Sequence, residues 1–237
     1  MHLSPSLLFR RAVVTAALLA LPAAFAGTER SAVQWLDSYY VNPQPDRFVP
    51  AMFELSRSGW FEADGRVPLA IGFVASVFQQ NPERVDDWLH HCQALPPAHQ
   101  RLIVSALWYS GHPKGAAYLA AYARTTGGEV RAGLARTLAD TPDLHGAAVR
   151  SPSSAQLQWG VFLATGEAGP VRAILAALGS EGRIGSELRW SFAQQAARHD
   201  RAVAICRAEL ARQPNEVRET LRAVIHRAEQ RSDPGSS

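Results

Sequence analysis

The densest set of side chains that could do chemistry is the segment 86–92, with the sequence DDWLHHC. On a helix, Asp87 and His91 are four residues apart and share one face, while Asp86 and His90 share the neighbouring face. A carboxylate and an imidazole at this spacing could bind one metal ion, with Asp87 and His91 as ligands and a third ligand from elsewhere in the chain. The spacing also fits two solvent-facing pairs, because acidic residues favour the first turn of a helix and histidine favours a later one. The sequence favours the solvent-facing pairs.

Serine and histidine at predicted turns are the second set that could do chemistry. Nucleophilic catalysis needs a nucleophile held by a base, and a third group that orients the base. Ser110, His112, His145 and His199 lie at turns, but the sequence contains neither G-x-S-x-G nor H-E-x-x-H. It also lacks the glycine-rich motifs that hold nucleotide phosphates, so it predicts no cofactor. We interpret His112 and His199 as turn and capping residues.

The aromatic pair Trp60 and Phe61 lies in a connector, ahead of a turn at Asp64-Gly65, and not on the apolar stripe of a helix. Aromatic rings in a connector could line a groove that binds a peptide or a glycan. Trp60, Phe61 and, at another turn, His112 are therefore the candidate binding residues. The alternative is that the rings pack between helices, since aromatic side chains bury much area.

Cys92 and Cys206 are the two cysteines of the chain. Both lie on apolar faces of predicted helices, 114 positions apart. In an exported protein, such a pair can be oxidised to a disulfide. We favour two buried thiols, which behave as small apolar residues, over a bridge between distant helices.

Residues 1–26 have the three parts of a secretory signal peptide in order. An arginine pair gives the positive region, residues 12–23 carry no charge, and Ala24-Phe25-Ala26 matches a small-x-small cleavage site. We expect cleavage between Ala26 and Gly27, no stable membrane span afterwards, and a periplasmic or secreted location; an uncleaved anchor is the alternative. Cleavage removes two arginines and no acidic residue, so the net charge falls by two, from +3 to +1. A near-neutral chain without a basic patch predicts no nucleic-acid partner.

The rest of the chain alternates between helix and turn. Apolar residues recur every three or four positions, proline, glycine or asparagine stands between the segments, and no stretch alternates as a strand does. Asn81, Pro82 and Glu83 fit the cap and first turn of one helix. The helix at 68–80 is apolar on most sides, which predicts a central position. The first predicted helix has Thr28 as a possible cap and ends at Asn42-Pro43, and the helix that starts at Pro82 ends at the break Leu95-Pro96-Pro97. The other predicted helices are 46–58, 68–80, 98–110, 114–124, 129–139, 155–164, 170–178, 186–198, 201–212 and 215–231.

A weak internal repetition indicates how these helices are arranged. The segment 107–111 is similar to 162–166, and each is followed by a short polar turn and an alanine-rich helix. Antiparallel helix pairs are the unit of α-solenoids. We predict an all-α domain over 27–231, built as an irregular stack of antiparallel helical hairpins, with a single globular bundle as the alternative. Residues 141–154 are the candidate loop or seam between two halves, and 232–237 form a disordered tail.

Two stretches resemble motifs of uncharacterised exported α-helical proteins of Gram-negative bacteria. They are Asn81-Pro82-Glu83-Arg84-Val85 with Trp88, and Ala106-Leu107-Trp108 with Gly111. The resemblance covers about residues 30–125. It implies an envelope location and implies no activity.

Together these features predict a non-enzymatic scaffold of the bacterial periplasm that binds a protein or a peptide. Helical hairpin stacks use concave faces for such binding. One alternative is a metal-dependent or hydrolytic envelope enzyme that uses the segment from Asp86 to Cys92. A further alternative is a structural, oligomeric component of the envelope.

Overall fold

The computed structural model describes residues 32–139, 143–146, 148–179 and 182–232, and every regular element within them is helical. The all-α class is therefore confirmed. The predicted signal segment 1–26 and its cleavage site at Ala26 and Gly27 lie outside the described residues. So do parts of the predicted seam and nearly all of the predicted tail.

The helices follow the predicted ones to within a few residues at each end. Short 3-10 turns precede α2, α3 and α4, and another follows α11. The helices are α1 (32–38), α2 (Phe48–Arg57), α3 (Arg66–Gln80), α4 (Val85–Cys92), α5 (Pro97–Tyr109), α6 (Gly115–Thr125), α7 (Gly128–Ala139), α8 (Pro152–Thr165), α9 (Ala168–Leu178), α10 (Gly182–Ala196), α11 (Asp200–Glu209) and α12 (Asn215–Ser232). Within the described residues, none of them has both the length and the apolar character that crossing a bilayer requires.

The most extensive contact between two helices joins α3 and α8. Gly72 and Gly160 let the two backbones touch, because a Cβ at Gly72 would lie 2.0 Å from the carbonyl oxygen of Leu157, and one at Gly160 would lie 1.9 Å from that of Leu69. The buried face of α3 includes Phe73 and its neighbours, as its predicted central position requires. One hydrophobic core therefore runs through both sides of the predicted seam at 141–154.

Away from this contact, the helices pack on near neighbours in the chain. α5 contacts α6, α6 contacts α7, α8 contacts α9, and α11 contacts α12, as antiparallel hairpins would. The contact between α3 and α8 instead joins helices that are far apart in the sequence, which is typical of a bundle. The stacked-hairpin arrangement thus stays a prediction beside the confirmed helical class.

Asn81 occupies the predicted N-cap position before Pro82, but its side chain does not cap the turn that follows. Instead, Asn81 Nδ2 donates to the carbonyl oxygen of Val77 at 2.8 Å. The last carbonyls of a helix lack partners within the helix, and here the end of α3 uses the side chain that the next helix could have used.

Cys92 and Cys206 are free thiols in the core. Desolvation by burial raises the pKa of each thiol to about 12. Because the thiolate is the reactive form, we expect neither thiol of the native protein to react with Ellman's reagent at about pH 8, and both to react in guanidinium chloride. Reaction of either thiol in the native protein would contradict the structure. No reaction in denatured, unreduced protein would indicate the disulfide instead.

Candidate functional site

A cleft opens where α1, the start of α3, α8 and the end of α10 meet. It consists of two adjoining cavities of about 810 and 280 Å³, which share Val33, Asp37, Arg66, Arg198 and His199. We call it the central cleft. Its walls come from both halves of the chain, so the contact between α3 and α8 is what assembles it.

Local backbone structure positions the charged residues of the central cleft. Gly65, with φ +74°, turns the chain into α3, so that Arg66 is the first residue of this helix. Such a conformation favours glycine because it has no Cβ. At the end of α1, the backbone N–H of Tyr40 donates to the carbonyl oxygen of Leu163 at 3.2 Å. This bond fixes the segment that carries Asp37 against α8.

Arg66 and Arg198 face the cleft with guanidinium groups that make no hydrogen bond and no ion pair within the described part of the chain. The guanidinium of Arg66 lies over the ring of Trp60, 4.7 Å from its centroid. Desolvation in the cleft raises the pKa of the Asp37 carboxyl, even though the charges of Arg66 and Arg198 act to lower it. Asp37 offsets one of the two positive charges, and Asp64 also lines the smaller cavity.

His199 is the neutral member of the cleft. Its ring contacts three aromatic rings at centroid distances of 5.9 to 6.1 Å; they belong to Tyr40, Trp159 and Phe162. Desolvation, followed by the charges of Arg198 and Arg231, lowers the pKa of His199 to about 4. The imidazole is therefore uncharged at neutral pH. His199 occupies the N-cap position of α11, as the sequence predicts, but its side chain makes no capping hydrogen bond.

An apolar cavity of about 450 Å³ between α8, α9 and α10 continues the central cleft. We call it the apolar groove. Trp159, Ile174, Leu188 and Phe192 form its buried floor. Trp190 stands at its edge with 68% of its surface exposed, and also lines the smaller cavity of the central cleft. A large, solvent-exposed apolar side chain at the edge of an apolar cavity is typical of a binding surface.

The candidate binding residues from the sequence separate in the structure. Trp60 lines the central cleft, with 6% of its surface exposed. Phe61 is buried, and its ring lies 4.8 Å from that of His99. His112 lies at the turn before α6, where its Nδ1 accepts a hydrogen bond from the backbone N–H of Lys114 at 3.2 Å. The structure therefore brings only Trp60 to the cleft.

The segment 86–92 forms α4, with its polar groups facing solvent. Asp87 Oδ1 and His91 Nε2 are 3.6 Å apart, and both side chains are exposed. Asp86 is 2.8 Å from Lys114 Nζ, and this hydrogen bond lowers the pKa of Asp86. Cys92 is buried. In the described ranges no three His, Cys, Asp or Glu side chains are placed to hold a metal ion, so Asp87 and His91 have no third ligand there.

A Ser-His-Glu arrangement occurs outside the cleft. His99 Nδ1 is 2.8 Å from Ser56 Oγ, and His99 Nε2 is 3.3 Å from Glu62 Oε1. His99 is buried, with the ring of Phe61 against it. A hydroxyl, an imidazole and a carboxylate in this order are the parts of a nucleophilic site, with the two ring nitrogens used in the opposite sense to serine proteases. The same bonds also fix the Trp60–Glu62 turn against α5.

Sequence reasoning missed most of the central cleft. Asp37, Arg66, Arg198 and Trp190 come from four places in the chain, and none belongs to a motif. The available signal was Trp190, a large aromatic residue on a helix with polar neighbours.

No protein-family model, no curated protein and no solved structure matches this chain. Its function is therefore inferred from the chemistry of the cleft and from the sequence.

Proposed function

We propose that the protein is a non-enzymatic scaffold of the bacterial periplasm that binds a peptide segment in the central cleft. The signal-like segment 1–26 supports the location. One observation supports the binding role most strongly: two arginines with no hydrogen-bond or ion-pair partner among the described residues, and an exposed tryptophan, line one continuous cleft.

The composition of the cleft fits a peptide. Peptide groups need hydrogen-bond partners, and Gln156, Gln194 and Gln195 offer both donors and acceptors along the smaller cavity. The apolar groove beside them can bury a side chain. Recognition sites of this kind combine an apolar surface with a few polar groups that fix orientation.

Equilibrium dialysis of the purified protein against a library of tetrapeptides tests this function. We expect some peptides to be retained, and Trp190→Ala to weaken their binding about tenfold, because a tryptophan at an interface often carries a large share of the affinity. Tyr118→Ala is the matched control, since Tyr118 is a partly exposed aromatic residue that lines a separate cavity. Retention of no peptide, or a loss with Tyr118→Ala instead, would contradict the proposed function.

Hydrolysis is a second candidate function, favoured by the hydrogen bonds among Ser56, His99 and Glu62. In such a site, Ser56 Oγ attacks an acyl carbonyl while its proton passes to His99, which gives that proton to the departing alcohol or amine as its bond to the acyl carbon breaks. Water then releases the acyl group from Ser56. Incubation with a fluorophosphonate probe tests this candidate. Labelling that disappears in Ser56→Ala and persists in Ser58→Ala would support it, and unlabelled wild-type protein would remove it.

A further inference from the structure

We propose that the central cleft binds the free C-terminal carboxylate of a peptide between Arg66 and Arg198, and that the apolar groove takes the side chain of the last residue. This inference rests on the proposed function and names the part of the peptide that is recognised.

Arg66 and Arg198 provide the carboxylate site. Both line both cavities of the central cleft, and neither guanidinium has a hydrogen-bond or ion-pair partner in the described residues. A planar guanidinium matches a carboxylate with two parallel hydrogen bonds. The cation–π contact with Trp60, 4.7 Å from the ring centroid, holds the Arg66 guanidinium at the wall of the cleft.

The acidic residues of the cleft limit the negative charge that a bound group can carry there. Asp37 interacts with both arginines, and Asp64 lines the smaller cavity. Asp200, at the edge of the larger cavity, forms an ion pair with Arg231. A phosphate would meet these carboxylates with a second negative charge, whereas a peptide carboxylate carries one charge. Asp37 can also accept a hydrogen bond from a peptide N–H.

The apolar groove adjoins the carboxylate site through shared walls. Gln156, Trp159, Trp190 and Ser191 line both the groove and the smaller cavity of the cleft. In a peptide, the last side chain is attached to the carbon that carries the carboxylate. A ligand bound to the arginines can therefore place an apolar side chain over the buried floor of the groove.

Titration calorimetry with three forms of Ala-Ala-Ala-Leu tests this inference. The forms are N-acetylated with a free carboxylate, N-acetylated with a C-terminal amide, and free at the amino end with a C-terminal amide. We expect the free carboxylate to bind at least about tenfold more tightly than either amide, because charge-assisted hydrogen bonds are lost with the charge. In Arg66→Gln/Arg198→Gln this difference should disappear, and in Arg124→Gln, an exposed arginine of α6, it should persist.

The outcomes separate the two proposals. Equal binding of the acid and the amides would overturn the carboxylate site and leave peptide binding intact. Tighter binding of the form with a free amino end would overturn the carboxylate site, and it would indicate that the acidic residues bind the amino group instead. Failure of all three forms, when dialysis also retains no tetrapeptide, would contradict the proposed function itself. The comparison of peptide forms uses wild-type protein, so it holds even if the double variant does not fold.

Discussion

Gly160→Ala is expected to lower the free energy of unfolding by about 3 kcal/mol, since it forces apart the two helices at the centre of the core. The added Cβ would lie 1.9 Å from the carbonyl oxygen of Leu69 and 2.6 Å from the backbone nitrogen of Phe73. Both atoms belong to the backbone of α3, so no side chain can rotate to make room. Guanidinium unfolding, followed by circular dichroism at neutral pH, measures the loss.

Gly169→Ala is the matched control for this substitution. Gly169 lies in α9, and a Cβ there would meet nothing within 4 Å. Alanine favours a helix over glycine by up to about 1 kcal/mol, so we expect this variant to be as stable as the wild type or slightly more stable. Equal stability of Gly160→Ala and the wild type would show that α3 and α8 do not touch at this glycine.

Acidification from about pH 6.5 to about pH 5 is expected to remove about 2 kcal/mol of folding stability through His199 alone. Burial among aromatic rings lowers the pKa of His199 from 6.5 to about 4. The unfolded chain therefore takes up a proton over this interval while the folded protein does not, and stability falls as the pH falls. This loss of stability is absent at pH values above the pKa of His199 in the unfolded chain. It is complete at pH values below its pKa in the folded protein.

Unfolding experiments at several pH values on His199→Gln isolate this contribution. We expect this variant to lose about 2 kcal/mol less than the wild type between these pH values, whatever its stability at neutral pH. His226→Gln is the control, because His226 is an exposed residue of α12 and its removal should leave the slope unchanged. Parallel curves for the wild type and His199→Gln would place His199 in solvent.

The helices were predictable because their signals are local. Apolar spacing and the residues that break helices set each element, and the structure moves the predicted ends by only a few residues. The pairing of α3 with α8 was not predictable from the same signals. Gly72 and Gly160 are 88 positions apart, and a glycine within a helical sequence looks the same whether it lies in solvent or against another backbone.

The candidate site depends on that unpredicted pairing. His199 follows a helix and precedes Asp200, which is the local pattern of a turn. The rings of Tyr40, Trp159 and Phe162 make it a half-buried group, and the local sequence does not show them. Trp60 was singled out because it lies in a connector, yet it lines a cleft only once α1 and the end of α10 come together. The local sequence therefore located single residues, whereas the packing of distant helices assembles the site.

Indole NMR of the protein during peptide addition tests the location of the binding site most directly. The chain has six tryptophans, and ¹⁵N-labelled indole groups give one signal each, assigned by single Trp→Phe variants. Addition of N-acetylated Ala-Ala-Ala-Leu should shift the signals of Trp60 and Trp190, which line the central cleft, and leave Trp88 and Trp108 unmoved. Shifts confined to Trp88 or Trp108, or no shift at a saturating peptide concentration, would contradict a peptide site in the cleft.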